Sequence, residues 1–310
     1  MKIPTVGVAL LNWNGGEFTV PCIESLLSGT FIPHEIVVVD NGSIDESPNL
    51  ISSNFPDVVL IRNKVNRGFA GANNQAINYL VSRKLEYIWV LNNDTIISTS
   101  CLEVLLRHAM DHKAGAGFSG KIFHAYPSDC LWYAGSYRHW LHLAPTHCCI
   151  SEIESHSSNG AVSVPFISGC CMLVPRWAWE KYGGFIDDYI AYCEDDEWCW
   201  RVTKDTGSLY YIPGATLWHR LSASVRKNMA SNSSIPPKAL YLMYRNHFWT
   251  LRLHAEGLSR TVALAASLAI VAKNILYYRY LKNCASAYAL IKGMNEGLFN
   301  LPLQKKYHFS

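Results

Sequence analysis

The sequence predicts an open, doubly wound α/β sheet with mostly parallel strands, followed by a C-terminal helical extension. Two observations carry this prediction. Within residues 1–95, four short apolar runs of strand length alternate with three segments whose apolar residues recur at helical spacing. Polar side chains, among them Asn12, Asp40 and Asp94, also stand at the ends of strand-like runs. In such a sheet, ligands bind at the carboxyl edge of the strands.

Strands and helices alternate regularly in the first part of the chain. The predicted strands are Val6–Asn12, Glu35–Asp40, Val58–Arg62 and Tyr87–Leu91. The predicted helices are Phe18–Leu27, Glu46–Asn54 and Gly68–Leu80. The glycines of the third helix let the backbone approach a ligand closely, but they match neither a dinucleotide fingerprint nor a phosphate loop with its lysine.

The second part of the chain is less regular. A helix is predicted over Leu102–Met110, whereas Phe118–Ser163 alternates short β-like pieces and receives no assignment. Next, a buried strand, a helix and a last strand are predicted over Pro165–Pro175, Arg176–Tyr182 and Tyr210–His219. The polar composition of Met229–Pro237 predicts a flexible loop or lid, and Ala239–Ser310 is predicted to be helical.

Composition narrows the class of protein. The 310 residues, 49% of them apolar, suffice for one large domain or two closely packed ones. We expect one domain at 1–235, made of two parts at 1–95 and 96–235, and a helical region at 236–310. A net charge of +3 gives no sign of nucleic-acid binding.

The ten cysteines indicate a cytoplasmic protein with mostly reduced thiols. No secretory signal precedes Val6, and no CxxC pair is present. The adjacent pairs Cys148-Cys149 and Cys170-Cys171 suit neither a disulfide framework nor a zinc site, and Cys193 and Cys199 lack a second ligand pair with finger spacing.

Four consecutive carboxylates, Glu194–Glu197, stand between aromatic residues. At the start of a helix the dipole would favour their charge, which is a purely structural role. Adjacent positions point in different directions, so at most two of them face one pocket. The flanking Tyr192, Trp198 and Trp200 are unlike a solvated charge run and favour a functional role. Asp40 and the Asn92-Asn93-Asp94 stretch would each suit an ordinary turn as well as a ligand contact.

Five motifs, in this order, resemble those of inverting glycosyltransferases of family 2, specifically the bacterial rhamnosyltransferase-like branch that builds surface polysaccharides. The resemblance covers residues 5–250. The motifs are Val38–Ser43, Asn66–Asn74, Leu91–Thr95, Gly183–Phe185 together with Tyr192–Trp198 and Arg201, and Trp218-His219.

The resemblance implies a GT-A fold, a Rossmann-like doubly wound sheet, and transfer of a sugar from a nucleoside diphosphate with inversion. It makes 1–235 the catalytic domain, with a nucleotide-binding half at 1–95 and an acceptor half at 96–235. It assigns Asp195 as the catalytic base and Glu194 and Trp198 to the acceptor. A divalent metal, Mn²⁺ or Mg²⁺, would bind at Asn92, Asp94 and His219. The implied donor-binding residues are Asn12, Asp40, Asn41, Arg67, Gly68, Asn74 and Asn93.

One departure from the family pattern concerns the metal. Asn92 offers a neutral oxygen where many relatives carry a charge, so we expect the diphosphate to bring the metal with it. The branch's usual donor is dTDP-rhamnose, and a UDP-sugar stays open. The acceptor would be a saccharide or a lipid-linked saccharide.

Two other functions remain to be separated from this one. A noncatalytic module that binds sugar or a lipid-linked saccharide would keep the fold and lose the reaction. A nucleotidyltransferase would need a basic loop that grips phosphate after the first strand, and Asn12–Glu17 contains no lysine or arginine.

The C-terminal helices predict contact with the inner face of the cell membrane. Gly257–Asn295 contains no acidic residue, and basic residues are spread among leucines and tyrosines, as in an interfacial helix. The apolar part, Thr261–Ala272, is too short to span a bilayer, and Lys273-Asn274 is expected to end it. The alternative is an ordinary core stripe or a dimer interface.

Overall fold

The computed structural model describes residues 3–125, 128–147, 160–205, 207–220 and 235–304. The strands are β1 (Val6–Asn12), β2 (Glu35–Asp40), β3 (Val59–Arg62), β4 (Tyr87–Asn92), β5 (Thr95–Ile97), β6 (Gly115–His124), β7 (Leu131–Tyr133), β8 (Ser136–Arg138), β9 (Pro145–His147), β10 (Val162–Val164), β11 (Cys171–Pro175) and β12 (Ser208–His219). The helices are α1 (Gly16–Leu27), α2 (Ser47–Asn54), α3 (Gly68–Ser82), α4 (Cys101–Asp111), α5 (Arg176–Tyr182), α6 (Glu194–Lys204), α7 (Pro237–His254), α8 (Gly257–Tyr280) and α9 (Cys284–Phe299). The predicted loop or lid at 229–237 lies mostly outside the described residues, as do Cys148 and Cys149.

The main sheet has the strand order β10-β12-β6-β11-β4-β1-β2-β3. Strands β1 to β4 are parallel, which confirms the predicted doubly wound half, and β11 runs antiparallel between β4 and β6. The apolar residues of β1, β2, β4 and β11 are mostly buried, as expected for a sheet packed between helices, whereas those of the edge strand β3 are half-buried. Register pairs Asn12 with Asp40, and Leu11 with Asn92, so the polar strand ends meet at one edge.

Strand β12 brings a distant part of the chain to the same edge. It pairs antiparallel with β5, which sets His219 opposite Thr95, and parallel with β6, which sets His219 beside His124. The predicted strand over Pro165–Pro175 is shorter than expected, because only Cys171–Pro175 pairs in the sheet. The preceding residues form a turn around Gly169 instead.

The three C-terminal helices confirm the predicted helical extension. Helices α7 and α9 pack closely on each other, with Leu240, Phe248 and Leu290 in their shared core. Helix α8 continues through Lys273-Asn274 to Tyr280, so the helix extends beyond the apolar run Thr261–Ala272 that these two residues interrupt. Lysine is a good helix former, and Lys273 is exposed, so its charge stays in solvent. Helix α8 has the length and composition to cross a membrane, and 22% of its most apolar window is buried.

Candidate active site

Asn12, predicted to bind the donor, is the centre of a buried hydrogen-bond network. Its amide donates to Oδ1 of Asp40 at 2.9 Å and to Oγ of Ser47 at 2.8 Å. Its carbonyl oxygen accepts from the Thr19 hydroxyl, which also accepts from the amide of Asn93. The network fixes Asp40 at the end of β2, where one carboxylate oxygen faces the backbone N–H of Ser43.

The second donor motif is held by Asn41. Its carbonyl oxygen accepts from the backbone N–H of Arg67 at 2.8 Å, and its amide donates to the carbonyl of Gly68 at 3.1 Å. Gly68 has a positive φ of 78°, and an added Cβ would stand 2.6 Å from the carbonyl oxygen of Ile190. Only glycine therefore fits at this start of α3. The side chain of Arg67 is exposed beside this loop.

Asn74 does not lie where the sequence placed it. Its side chain is buried and donates to the carbonyl of Phe185 at 2.8 Å and to Oδ1 of Asp187 at 2.7 Å. Its oxygen accepts from the backbone N–H of Phe185. Because its amide and its oxygen are both engaged inside the protein, Asn74 holds the segment that precedes the acidic helix and does not present a free group to a donor.

The three residues predicted to hold a metal converge at the carboxyl edge. Nε2 of His219 lies 3.0 Å from Oδ1 of Asp94 and 3.4 Å from the amide nitrogen of Asn92. The β5–β12 pairing brings these residues together across more than a hundred positions of sequence. The edge of the Trp132 ring packs against the His219 imidazole, with 4.9 Å between centroids.

These side chains fit a divalent cation as a partial donor set. Nδ1 of His219 is buried and has no hydrogen-bond partner among the described residues, so the imidazole is not committed to a structural role on that side. Within the described ranges no three His, Cys, Asp or Glu side chains form a metal cluster. The protein therefore offers one carboxylate, one imidazole and one amide oxygen, and the remaining positions suit water and phosphate oxygens.

Helix α6 begins at the four carboxylates, and two of them are neutralised by basic partners. Asp196 pairs with Nη1 of Arg138 at 2.7 Å, and the guanidinium of Arg138 stacks over Trp200. Both carboxylate oxygens of Glu197 accept from Nε of Arg201, at 2.9 and 3.0 Å. The same arginine reaches the carbonyl of Gly184. These two pairs are structural and tie α6 to its surroundings.

Glu194 and Asp195 are the two carboxylates of this run that have no basic partner among the described residues. Their number agrees with the expectation that at most two of the four carboxylates face one pocket. Asp195 accepts from the backbone N–H of Gly169 at 2.8 Å. Burial raises the pKa of Asp195 to about 6, although the Gly169 N–H acts in the opposite direction. Burial and the negative charge of Asp195 raise the pKa of Glu194 well above its usual range. Oε2 of Glu194 is buried without a hydrogen-bond partner in the described part of the chain.

The metal-binding candidates and the carboxylate pair belong to one site. Both Asp94 and Asp195 lie close enough to the buried thiol of Cys170 that their charges add to the effect of burial in raising its pKa. The turn that carries Cys170 connects them directly, because the carbonyl of Cys170 accepts from the backbone N–H of Asn92, and Gly169 holds Asp195.

Trp198 is a correction to the predicted site. The sequence assigned it to the acceptor, but its side chain is fully buried, packs on Trp179 and donates from Nε1 to the carbonyl of Gly183. A side chain with no exposed surface cannot contact a sugar, so Trp198 anchors α6 in the hydrophobic core. Sequence reasoning also missed Arg138, at the end of β8, and Gly169, in a turn, which hold Asp196 and Asp195 respectively.

Comparison with known proteins adds to this geometry. Residues 8–148 match the sequence model described as glycosyl transferase family 2. Within residues 8–148 the chain is therefore similar to a family 2 glycosyltransferase domain. A curated relative, the N-acetylglucosaminyl-diphospho-decaprenol L-rhamnosyltransferase of Mycobacterium tuberculosis, is 23% identical over 273 residues, which cover 79% of this chain and 88% of the relative. The predicted rhamnosyltransferase-like resemblance is thereby confirmed.

Two solved structures are similar to this chain in fold. GalNAc-T7 with UDP, GalNAc and Mn²⁺ superimposes with a TM-score of 0.60 at 14% identity, over 81% of this chain and 48% of that one. S. aureus TarS 1-349 in complex with UDP gives a TM-score of 0.57 at 12% identity, over 85% of this chain and 70% of that one. They confirm the predicted GT-A fold with its mostly parallel sheet.

Proposed function

We propose that this chain is an inverting glycosyltransferase that moves rhamnose or a similar hexose from a nucleoside diphosphate to a saccharide acceptor in bacterial surface polysaccharide synthesis. The observation that carries the proposal is the environment of Asp195. This carboxylate lacks a cationic partner among the described residues and has a pKa of about 6. The turn Gly169-Cys170 links it by hydrogen bonds to Asn92 of the metal-binding candidates.

In the proposed reaction Asp195 takes the proton of the acceptor hydroxyl as that hydroxyl attacks the anomeric carbon. A base with a pKa of about 6 is ionised at neutral pH, and general-base assistance contributes roughly 10²–10⁴-fold. Inversion by direct displacement needs one base on the acceptor side and no covalent intermediate, unlike the paired carboxylates of retaining hydrolases.

The leaving nucleoside diphosphate gains negative charge as the sugar departs. Asp94, His219 and Asn92 would hold a divalent metal, Mn²⁺ or Mg²⁺, which stabilises that charge when bound. Asp40 remains the proposed contact to the base or ribose. Asn41 and Gly68 shape the loop beside it, and Asn12 and Asn93 fix the network on which Asp40 depends.

Glu194 is the proposed acceptor contact. Its buried, unpartnered Oε2 lies beside the base, and burial favours its protonated form, which can both donate and accept a hydrogen bond. A sugar hydroxyl would satisfy an atom that is costly to leave unpaired.

The proposed donor is a dTDP- or UDP-sugar, and the proposed acceptor is a lipid-linked saccharide. Support comes from the relative named for L-rhamnosyl transfer to an N-acetylglucosaminyl-diphospho-decaprenol, and from the two structural neighbours crystallised with UDP.

We further propose a cytoplasmic protein that docks on the inner face of the membrane through α8. The outer side of this helix exposes Leu258, Leu276 and Tyr280, at 79%, 68% and 85% of their surface. Arg260, Lys273, Arg279 and Lys282 are exposed along and just beyond the same helix, where the chain carries no acidic residue. Exposed apolar and basic side chains together complement an anionic bilayer surface.

A panel of nucleotide sugars tests the proposed activity. Purified protein is incubated with dTDP- and UDP-sugars, with Mn²⁺, Mg²⁺ or chelator, and release of nucleoside diphosphate is measured with and without a polyprenyl-diphosphate-linked N-acetylglucosamine acceptor. We expect metal-dependent, acceptor-stimulated release with one donor. Binding of a donor without any release would favour a noncatalytic module, and formation of pyrophosphate would favour a nucleotidyltransferase.

A further inference from the structure

The segment Ile186–Cys193, here called the hinge segment, leads directly into α6 and has unusual backbone conformations. Ile190, Tyr192 and Cys193 have positive φ angles of 63°, 69° and 64°. None of them is a glycine, and a β-branched residue is especially disfavoured in this region. Such conformations persist only where surrounding contacts impose them, and they occur often at functional sites.

The hinge segment touches the donor motif on one side. The carbonyl of Ile190 accepts from the backbone N–H groups of Phe69 and Ala70, the first free donors of α3. Gly68 lies against the same carbonyl. On its other side, the segment ends at Cys193, the residue that precedes Glu194 and Asp195. The hinge segment therefore connects the donor loop directly to the start of α6, where the proposed base lies.

Asn246 of α7 holds the hinge segment from the C-terminal helices. Its amide nitrogen lies 2.9, 2.9 and 2.7 Å from the carbonyl oxygens of Tyr189, Ala191 and Tyr192, and its side chain is fully buried. Nε of Arg245 donates to the carbonyl oxygen of Asn246 at 2.9 Å, which fixes the amide with its N–H groups toward the hinge segment. Arg245 is itself buried, lies over Trp249 and donates to the carbonyl of Asp188.

We propose that Asn246, oriented by Arg245, is a positioning residue for catalysis. Its amide binds the carbonyl oxygens of three residues of the hinge segment and so stabilises the positive-φ conformation of that segment. That conformation sets the position of Asp195 relative to the donor loop. This inference rests on the proposed transferase function. Asn246 belongs to α7, so on this proposal the C-terminal helices help to complete the catalytic site.

The competing explanation is that Asn246 only fastens α7 to the rest of the fold. Asn274 of α8 supplies a matched control, because its amide donates to the Tyr244 hydroxyl at 2.6 Å within the C-terminal helices and does not contact the hinge segment. Asn274→Ala and Asn246→Ala each remove a partly or fully buried side-chain amide. Only Asn246→Ala releases the hinge segment.

The test compares Asn246→Ala, Asn246→Asp and Asn274→Ala with the wild-type protein. We expect kcat to fall about 10²-fold in both Asn246 variants, with Asn246→Asp the lower because a carboxylate would face three carbonyls. Donor KM should change less than about threefold, and the pH at half-maximal kcat should move away from about 6. Asn274→Ala should keep kcat within about twofold. An unchanged kcat and pH profile in folded Asn246 variants, or an equal fall in Asn274→Ala, would overturn the proposal.

Two further measurements test the positioning role if the Asn246 variants do not fold or if the wild-type protein shows no turnover. If the Asn246 variants do not fold, Arg245→Lys removes the Nε donor that orients the amide, and the same loss of kcat at nearly constant KM is expected. If the wild-type protein turns over no donor, the proposed function fails separately. The positioning claim is then tested by the pH dependence of stability in the double variant Asn246→Ala/Asp195→Asn against each single variant. Additive effects at every pH would reject it.

Discussion

The backbone N–H of Gly169 donates to Oδ2 of Asp195 across 2.8 Å. The next residue along, Cys170, accepts from the backbone of Asn92 at the end of β4. One turn thus joins the proposed base to the strand that carries the metal-binding candidates. The distance between the two halves of the site is set by one backbone–backbone hydrogen bond and by one from the backbone to the Asp195 carboxylate.

A Gly169→Ala substitution should disturb this relationship and leave the fold intact. A Cβ at this position would stand 3.3 Å from Oδ2 of Asp195 and 3.6 Å from the Phe69 ring, so the carboxylate must give way by a few tenths of an ångström. We expect kcat to fall about tenfold, with donor affinity nearly unchanged. Gly214→Ala is the control, because its Cβ would meet a single side-chain atom at ordinary contact distance. Equal kinetics in the two variants would argue against the turn as a positioning device.

The pKa of Asp195 makes a prediction about stability. Its carboxyl has a pKa of about 6 in the folded protein and 3.8 as an ordinary value, so the folded state binds the proton more tightly. The stability that protonation provides is complete below pH 4 and is lost as pH rises through 6. An asparagine at this position does not titrate, so the Asp195→Asn variant does not lose this stability as pH rises. Its free energy of unfolding relative to wild type should therefore rise by about 1–3 kcal/mol between pH 4 and pH 8.

Chemical denaturation at a series of pH values, in the absence of metal and nucleotide, measures this difference. A stability difference that stays constant from pH 4 to pH 8 would contradict the raised pKa. A difference that moves in the opposite direction would indicate that a cation, not burial, dominates the environment of Asp195.

Much of the donor edge could be predicted from the sequence, because each of its residues follows an apolar strand. Asn12, Asp40 and Asp94 sit at or just beyond strand ends, and parallel pairing then forces them together. His219 could be placed for the same reason, although its partner strand β5 was not predicted. Local pattern was sufficient wherever the chain alternates strand and helix.

The residues that sequence reasoning missed or misplaced depend on tertiary contacts. Arg138 reaches Asp196 across 58 positions, and Asn246 reaches Ala191 across 55. No periodicity links such pairs. Trp198 and Asn74 stand inside functional motifs, yet the structure buries Trp198 in the core and binds Asn74 to Phe185. A sequence motif indicates which segment lies at the functional site, but it does not indicate which side chains of that segment face the ligand.

Asp94→Ala should abolish metal-dependent donor binding. The substitution removes the single carboxylate of the Asn92–Asp94 stretch and leaves His219 without its partner at 3.0 Å. Calorimetric titration of the nucleoside diphosphate with and without Mn²⁺ should show that the metal strengthens binding to wild type and no longer does so in the variant. Asp57→Ala, in an exposed turn of the same half, is the control. Equal metal dependence in Asp94→Ala would remove Asp94 from the metal site.

The exposed face of α8 should bind anionic membranes in a salt-dependent way. Each basic residue near an anionic surface contributes about 1 kcal/mol, so the protein should float with anionic liposomes at low salt and release as salt rises. Leu276→Glu should weaken flotation, whereas Ile44→Glu, at an even more exposed site on the donor half, should not. Flotation that resists both high salt and alkaline extraction would indicate that α8 spans the bilayer.

The most direct test of the account is the effect of Asp195→Asn on turnover and on donor affinity, measured in one preparation. The amide keeps the shape of the carboxylate and can accept no proton at neutral pH, so the account predicts that kcat falls by at least about 10²-fold while the calorimetric affinity for the donor stays within about threefold of wild type. Wild-type kcat should rise with pH through about 6. Residual turnover near the wild-type rate, or loss of donor binding with turnover retained at saturation, would contradict the assignment of Asp195 as the base.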